Sequence, residues 1–177
     1  MMNKRREVKG FSISQASLED LDELEALEAR VFSVPWSRKS FEAELIGNEF
    51  SLIFVARCED AVNHASSDRP CSTPRIVGYI CAWTVFEELR FMNIAVEADN
   101  RRQGIGSELL NKIMEIGVSH GAQRALLEVR VSNDSAQALY GRFGFTTYGT
   151  RRHYYTNPTE DAMLMALEPL VLPGATF

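Results

Sequence analysis

The chain has 177 residues, 45% of them hydrophobic, and its 24 acidic against 19 basic side chains give a formal net charge of −5. That length and apolar share fit one globular domain with its own core, and the acidic balance argues against a general nucleic-acid binder. Apolar runs such as Ile76–Phe86 are too short to span a bilayer, and the opening MMNKRREVKGF lacks the apolar stretch of a secretory leader, so a cytoplasmic protein without a membrane partner is expected.

In chain order, Ser17 followed by Asp20 resembles a helix start, and Leu18, Leu21, Leu24 and Leu27, then Val31 and Phe32, recur at helical spacing. Pro35-Trp36-Ser37 breaks that helix and caps a second, Arg38 to Ile46, which Gly47-Asn48 stops. Ser51–Arg57 predicts a strand. Residues 58–75 are rich in Ser, Asp and Pro and predict a long flexible loop. Arg75–Phe86 and Glu88–Val96 predict two strands joined by a tight turn. Gly104–His120 predicts a helix with Ile105, Leu109, Ile113 and Ile116 on one stripe, stopped by Gly121. Arg124–Val131 predicts a strand, and Asn133–Phe143 a short helix ended by Gly144. Two last strands are expected around Thr146–Tyr155 and Ala162–Leu167. The class is α/β (α+β) with a mixed sheet, in a single domain over 1–177 whose core spans about 11–168, with 169–177 as a tail.

The stretch RRQGIGSELL places Gly104 and Gly106 beside two arginines at the first turn of a helix. A helix start has unpaired N–H groups and the positive end of its dipole, and glycine lets a ligand approach that backbone; together they suit a phosphate. Leu109 stands where a dinucleotide loop GxGxxG needs its third glycine, and no GK[ST] of a P-loop follows. A glycine-softened helix start without a ligand is the plain alternative.

Arg101-Arg102-Gln103-Gly104-Ile105-Gly106 resembles the [QR]-x-x-G-x-[GA] loop with which the GNAT acetyltransferases hold acetyl-CoA. Val34-Pro35-Trp36-Ser37, Phe91–Val96, Leu127–Asn133, Ala138-Leu139-Tyr140, Gly144-Phe145, Arg151–Tyr155 and Glu160–Met163, in that order, resemble its ribosomal-protein-alanine (RimI) branch. The match covers most of residues 11–168. Ala98, where the family often has proline, the length of 58–75 and the tail LEPLVLPGATF depart from the pattern. The resemblance implies a mostly antiparallel twisted sheet of six to seven strands flanked by about four helices. It implies acetyl-CoA as co-substrate and, as acceptor, the N-terminal α-amine, alanine foremost, of a small-subunit ribosomal protein. Attack would be direct, in a ternary complex of one monomer, with no direct nucleic-acid contact. A lysine or small-molecule amine as acceptor, or a coenzyme-binding module without turnover, stays open at this stage.

The resemblance also implies site residues. Glu128 is the expected base; its plain alternative is a salt bridge to Arg130 or Arg124. A free α-amine has a pKa of ~8 and a free glutamate ~4.3, so direct proton transfer is uphill. Burial of Glu128 and a water chain are both expected to help. Tyr140 is the expected acid toward the departing sulfur, and otherwise a core aromatic. The main chain of Ile94, Ala95 and Val96 is expected to pair with the pantetheine, and Arg101, Arg102, Gln103, Gly104, Ile105, Gly106 and Ser107 to hold the diphosphate. Asn133 caps its helix and is expected to touch the coenzyme. Trp36, Tyr154 and Tyr155 are candidates for the acceptor side, with plain packing as their alternative. Glu49, Glu87 and Glu88 are a candidate acidic rim. Cys58, Cys71 and Cys81 form no CxxC pair and read as inert, and His64, His120 and His153 show no metal spacing, so no metal is expected.

Overall fold

A computed structural model describes residues 10–58 and 75–171. Its strands form a single seven-stranded sheet, ordered β1-β2-β3-β4-β5-β7-β6. The elements are β1 (Phe11–Gln15), α1 (Leu21–Val31), α2 (Arg38–Ile46), β2 (Ser51–Cys58), β3 (Arg75–Val85) and β4 (Glu88–Val96). They continue with α3 (Ile105–Ser119), β5 (Arg124–Arg130), α4 (Asp134–Arg142), β6 (Thr146–Thr156) and β7 (Thr159–Leu167). This is the mixed, mostly antiparallel sheet with four helices that the resemblance implies; the β4–β5 pair alone is parallel. No helix among the described residues is long and apolar enough to cross a membrane.

Amphipathic helices cover both faces. On one, Leu21, Leu24 and Leu27 of α1 and Phe41 of α2 pack with Ile53, Val55, Tyr79 and Ala95 of the sheet. On the other, Leu109, Leu110, Ile113 and Met114 of α3 pack with Phe54, Ile80, Leu89 and Leu127, and Tyr140 of α4 joins them. The helix expected from Ser17 begins as a 3-10 turn at Leu18–Asp20, where the Asp20 carboxylate accepts the Ser17 N–H at 2.8 Å, and gives way to extended chain at Phe32.

Three boundaries differ from the sequence reading. β1 is an addition to it: FSISQ is short, pairs only with β2 and has no buried side chain, so it carries little pattern to read. β7 begins at Thr159 rather than Ala162. The core also reaches past residue 168: Leu170 is buried, and its N–H donates to the Gln123 carbonyl at 2.7 Å. Of the expected 58–75 loop, Cys58 ends β2 and Arg75 starts β3; the rest, with Cys71, His64, the N-terminal stretch 1–9 and the tail 172–177, lies outside the described residues.

Two details of register matter for function. β4 and β5 pair only from Glu88↔Arg124 to Phe91↔Leu127. Beyond that, β4 stays with β3 and β5 stays with β7, so a wedge opens between them. Where it opens, β4 carries a bulge: Ala82 faces Phe91 and Cys81 faces Asn93, leaving Met92 as the extra residue.

Ile113 is fully buried in the larger cluster. Ile113→Ala should cost about 2–5 kcal/mol in chemical denaturation. A loss within about 0.5 kcal/mol, as at ordinary surface positions, would mean that α3 does not rest on the sheet as described.

Candidate active site

At the start of α3, Gly104 caps the helix with φ 91° and ψ −8°, a left-handed geometry that favours glycine. The first helical bond runs from the Glu108 N–H to the Gly104 carbonyl at 3.0 Å. Among the described residues, no main-chain acceptor takes the N–H groups of Arg102, Gln103, Gly104, Ile105, Gly106 or Ser107. A Cβ at Gly104 would meet nothing within 4 Å, so the space beside that residue is open. Gly106 has a different reason: a Cβ there would lie 3.3 Å from Leu139 Cδ2, so glycine lets α3 pack against α4. Close helix packing is thus a plain reason for glycine at 106, while the open space at Gly104 leaves room for a ligand.

Neighbouring side chains fasten this turn. The Arg101 Nε donates to the Val96 carbonyl at 3.0 Å, and the Gln103 Nε2 to the Asp99 carbonyl at 3.1 Å. Arg102, itself at φ 61°, is exposed and forms no ion pair among the described residues. Ile105 is buried, so only its main chain can face a ligand, and Ser107 is half-buried.

The wedge runs back along β4 from this turn. The Glu97 N–H donates to the Val77 carbonyl at 2.8 Å, and Ala95 lies opposite Tyr79. Strand alternation therefore turns the main-chain groups of Ile94 and Val96 away from β3, into the wedge. The Val96 carbonyl meets Arg101 there, and the Ile94 N–H meets the Asn93 Oδ1 at 3.0 Å. Ala95 departs from expectation: its main chain belongs to the sheet.

Glu128 is the first β5 residue past the last β4 partner, at the mouth of the wedge. It is exposed, not buried as expected, because its alternation places it opposite the buried Leu127 and Val129. The salt-bridge alternatives are also removed: Arg130 pairs with Glu160 at 3.0 Å and Arg124 pairs with Glu88. Tyr140 is buried against Phe145, 5.8 Å between centroids, and Phe145 in turn meets Phe91 at 5.9 Å. Burial pushes its phenol above the ordinary tyrosine range, so the proton stays on at neutral pH. Among the described residues the Tyr140 hydroxyl forms no hydrogen bond. Asn133 caps α4, its Oδ1 accepting the Ala136 N–H at 3.1 Å.

Tyr154 and Tyr155 pack edge to face at 5.0 Å. The Arg130 guanidinium lies 4.1 Å from the Tyr155 ring, and Arg151 lies 4.5 Å from Tyr154. Burial pushes the Tyr155 phenol up to about 12, with Tyr154 and Glu128 adding to the shift. Trp36 is half-buried, its ring 5.5 Å from Phe41, so packing occupies much of it. Its loop reaches the β6–β7 turn, where the Ser33 Oγ donates to the Asn157 carbonyl at 2.9 Å. The acidic rim does not form there. Glu88 lies at the far end of β4, and hydrogen bonds from Arg90 and Arg124 hold its carboxyl below the usual range. Cys81 is inert, its thiol pushed up to about 12 by burial. His120 ends α3, and the His153 N–H donates to Asp161 at 2.8 Å.

Sequence reasoning passed over Glu28, which is 0% exposed. Its carboxylate accepts from the Trp36 N–H at 2.9 Å, from the Asn93 Nδ2 at 2.8 Å and from the Tyr79 hydroxyl. Its place in the line of Leu21, Leu24 and Leu27 on the buried face of α1 was the available signal.

The profile of the acetyltransferase (GNAT) family matches residues 21–145. The chain belongs to that family. A Bacillus subtilis (strain 168) relative is 33% identical over 154 residues, covering 87% of this chain and 93% of the relative. The ribosomal protein bS18-alanine N-acetyltransferase of Escherichia coli (strain K12) is 32% identical over 158 residues, covering 88% and 96%. The crystal structure of the Escherichia coli ribosomal-protein-S18-alanine N-acetyltransferase matches with a TM-score of 0.74 at 30% identity, covering 94% of this chain and 99% of that one. Acetyl-CoA is the co-substrate of the family. The six unsatisfied amides and the uncovered space at Gly104 fit its diphosphate.

Gly104→Ala puts a Cβ on left-handed backbone and into that space. It should cost about 1–2 kcal/mol of stability and weaken acetyl-CoA binding by about tenfold or more in calorimetry. Unchanged affinity would place the diphosphate elsewhere.

Proposed function

We propose that this chain transfers the acetyl group of acetyl-CoA to the N-terminal α-amine of alanine in ribosomal protein bS18, by direct attack in a ternary complex. The observation that carries the reading is one of placement. The open amides of 102–107 follow, after one 3-10 turn, the strand whose Ile94 and Val96 main chain lines the wedge, and Glu128 stands at its mouth. The bS18 acceptor rests on the relatives of that activity, which align over nearly their whole length. A monomer acting in the cytoplasm completes the proposal.

Acetyl-CoA supplies an activated thioester carbonyl. The protein's part begins with the acceptor ammonium. With an α-amine near pKa ~8 and a free carboxylate near ~4.3, direct transfer is uphill by about 5 kcal/mol. Glu128 is exposed, so it acts through water: it orders a short relay that takes the ammonium proton toward solvent. The amine lone pair then attacks the thioester carbon. The Ile94 N–H, turned into the wedge and oriented by the Asn93 Oδ1, with which it would be shared, is the donor nearest to hand for the developing oxyanion. As the carbon–sulfur bond breaks, the unpartnered Tyr140 hydroxyl donates to the sulfur. A free thiol has a pKa of ~8.5, below that of the phenol, so Tyr140 keeps its proton and its hydrogen bond stabilises the departing thiolate, while the nitrogen gives up its second proton through the water relay. Arg101, Arg102, Gln103 and the amides through Ser107 hold the diphosphate, and Asn133 borders the coenzyme from α4. Trp36, Tyr154 and Tyr155 frame the acceptor peptide.

Glu128→Gln and Tyr140→Phe should each lower kcat by about 10²-fold or more while coenzyme affinity holds within about threefold. Equal loss of both quantities would demote the residue to a structural one. Mass spectrometry of peptides that begin with alanine and carry an internal lysine should find acetyl on the α-amine alone. Acetylation of the lysine instead would overturn the acceptor assignment.

A further inference from the structure

Glu28 is a fully buried carboxylate for which the chemistry above has no use. Burying one costs several kcal/mol unless it is well hydrogen-bonded. Three donors meet it, and they come from three places: Trp36 from the α1–α2 loop, Tyr79 from β3 and Asn93 from β4. The Asn93 Nδ2 also donates to the Tyr79 oxygen at 2.8 Å, so both hydrogens of that amide face the buried cluster. This fixes which way round the Asn93 amide sits. Its Oδ1 is left for the next residue, and it accepts the Ile94 N–H at 3.0 Å. Asn93 follows the bulge residue Met92, where β4 leaves β5.

We propose that Glu28 is a positioning residue for acetyl transfer: through Asn93 it sets the aim of the Ile94 N–H, and through the Trp36 amide it holds the acceptor loop at a fixed distance from that strand. The inference rests on the acetyltransferase reading of the wedge. It assigns the carboxylate no contact with either substrate. Its contribution is orientational, since a small misplacement of reacting groups lowers turnover steeply.

The hydrogen-bond polarity makes the proposal testable. In Glu28→Gln the new side chain keeps an oxygen for Trp36 but turns an NH2 toward the Asn93 NH2. Either two donors oppose each other, or Asn93 flips and turns its NH2 onto the Ile94 N–H. Asn93→Asp alone sets a second carboxylate against Glu28. Combined, the two changes restore every bond with the original net charge. The NH2 introduced on α1 donates to one oxygen of the carboxylate introduced on β4. Tyr79 donates to that same oxygen, and the other oxygen accepts the Ile94 N–H.

The wild type, both single variants and the double variant are compared at a temperature where circular dichroism shows all four folded. Each single variant should lower kcat on an alanine-terminated peptide by about tenfold or more, with peptide KM and coenzyme Kd changed little. The double variant should recover to within about threefold of wild type. Wild-type kcat in folded Glu28→Gln, or a double variant no faster than the slower single one, would overturn the proposal. Should Glu28→Gln not fold alone, rescue of Asn93→Asp by the second change gives the same decision. Amide exchange at Ile94, read by NMR without substrate, separates this from the acetyltransferase reading. Exchange should quicken in both single variants and recover in the double one, and unaltered exchange overturns the proposal. A wild type that exchanges as expected but leaves the alanine peptide unmodified contradicts only the acceptor assignment.

Discussion

Strands β4 and β5 run parallel for four residue pairs and then separate. A sheet interior normally cannot tolerate this, because main-chain N–H and C=O groups on the parting edges lose their partners. Here the loss is confined. β5 keeps its antiparallel bonds to β7, and β4 keeps its bonds to β3 beyond the Met92 bulge. The Ile94 N–H and the Val96 carbonyl are satisfied by local side chains, Asn93 and Arg101. The Arg101 bond is short-range and replaceable and the Ile94 N–H can be shared, so an extended ligand can take the place of a strand. The coenzyme's pantetheine has that shape, and the wedge ends where the open amides of α3 begin.

The same separation explains how groups distant in sequence meet. Glu128 would have a strand beside its main chain if β4 and β5 stayed paired; because they part, that edge of β5 lines the wedge. Tyr140 reaches the region on α4, supported through Phe145 by Phe91, the last paired residue of β4. On the acceptor side, the Arg130 guanidinium holds the Asn157 and Pro158 carbonyls at 3.1 and 3.2 Å, and Ser33 holds the Asn157 carbonyl from the α1–α2 loop. The exposed ion pairs elsewhere, such as Arg38 with Glu42, contribute little by comparison.

Features written in local periodicity were readable from the chain. The α3 stripe, the left-handed glycine at its start and the Asn133 cap each depend on a few adjacent residues, and each is where the pattern put it. Features that depend on pairing over distance were not. Whether Glu128 is buried depends on what covers its face of β5, which no nearby residue announces. The acidic rim failed for the same reason: Glu88 sits at the closed end of the sheet, paired with its neighbour Arg90 and with Arg124, which folding brings beside it. Glu28 was hidden by its type, since a glutamate on a helix reads as solvent-facing until its three donors are seen. β1 has too few apolar residues to declare itself.

The central claim is that the wedge and the α3 amides together form one coenzyme groove. Amide chemical shifts of the isotopically labelled protein, titrated in parallel with coenzyme A and with pantetheine, test it most directly. The account predicts that both ligands shift Ile94 and Val96, and that coenzyme A alone shifts residues 103–107. Shifts at 103–107 with pantetheine, or none there with coenzyme A, would contradict it.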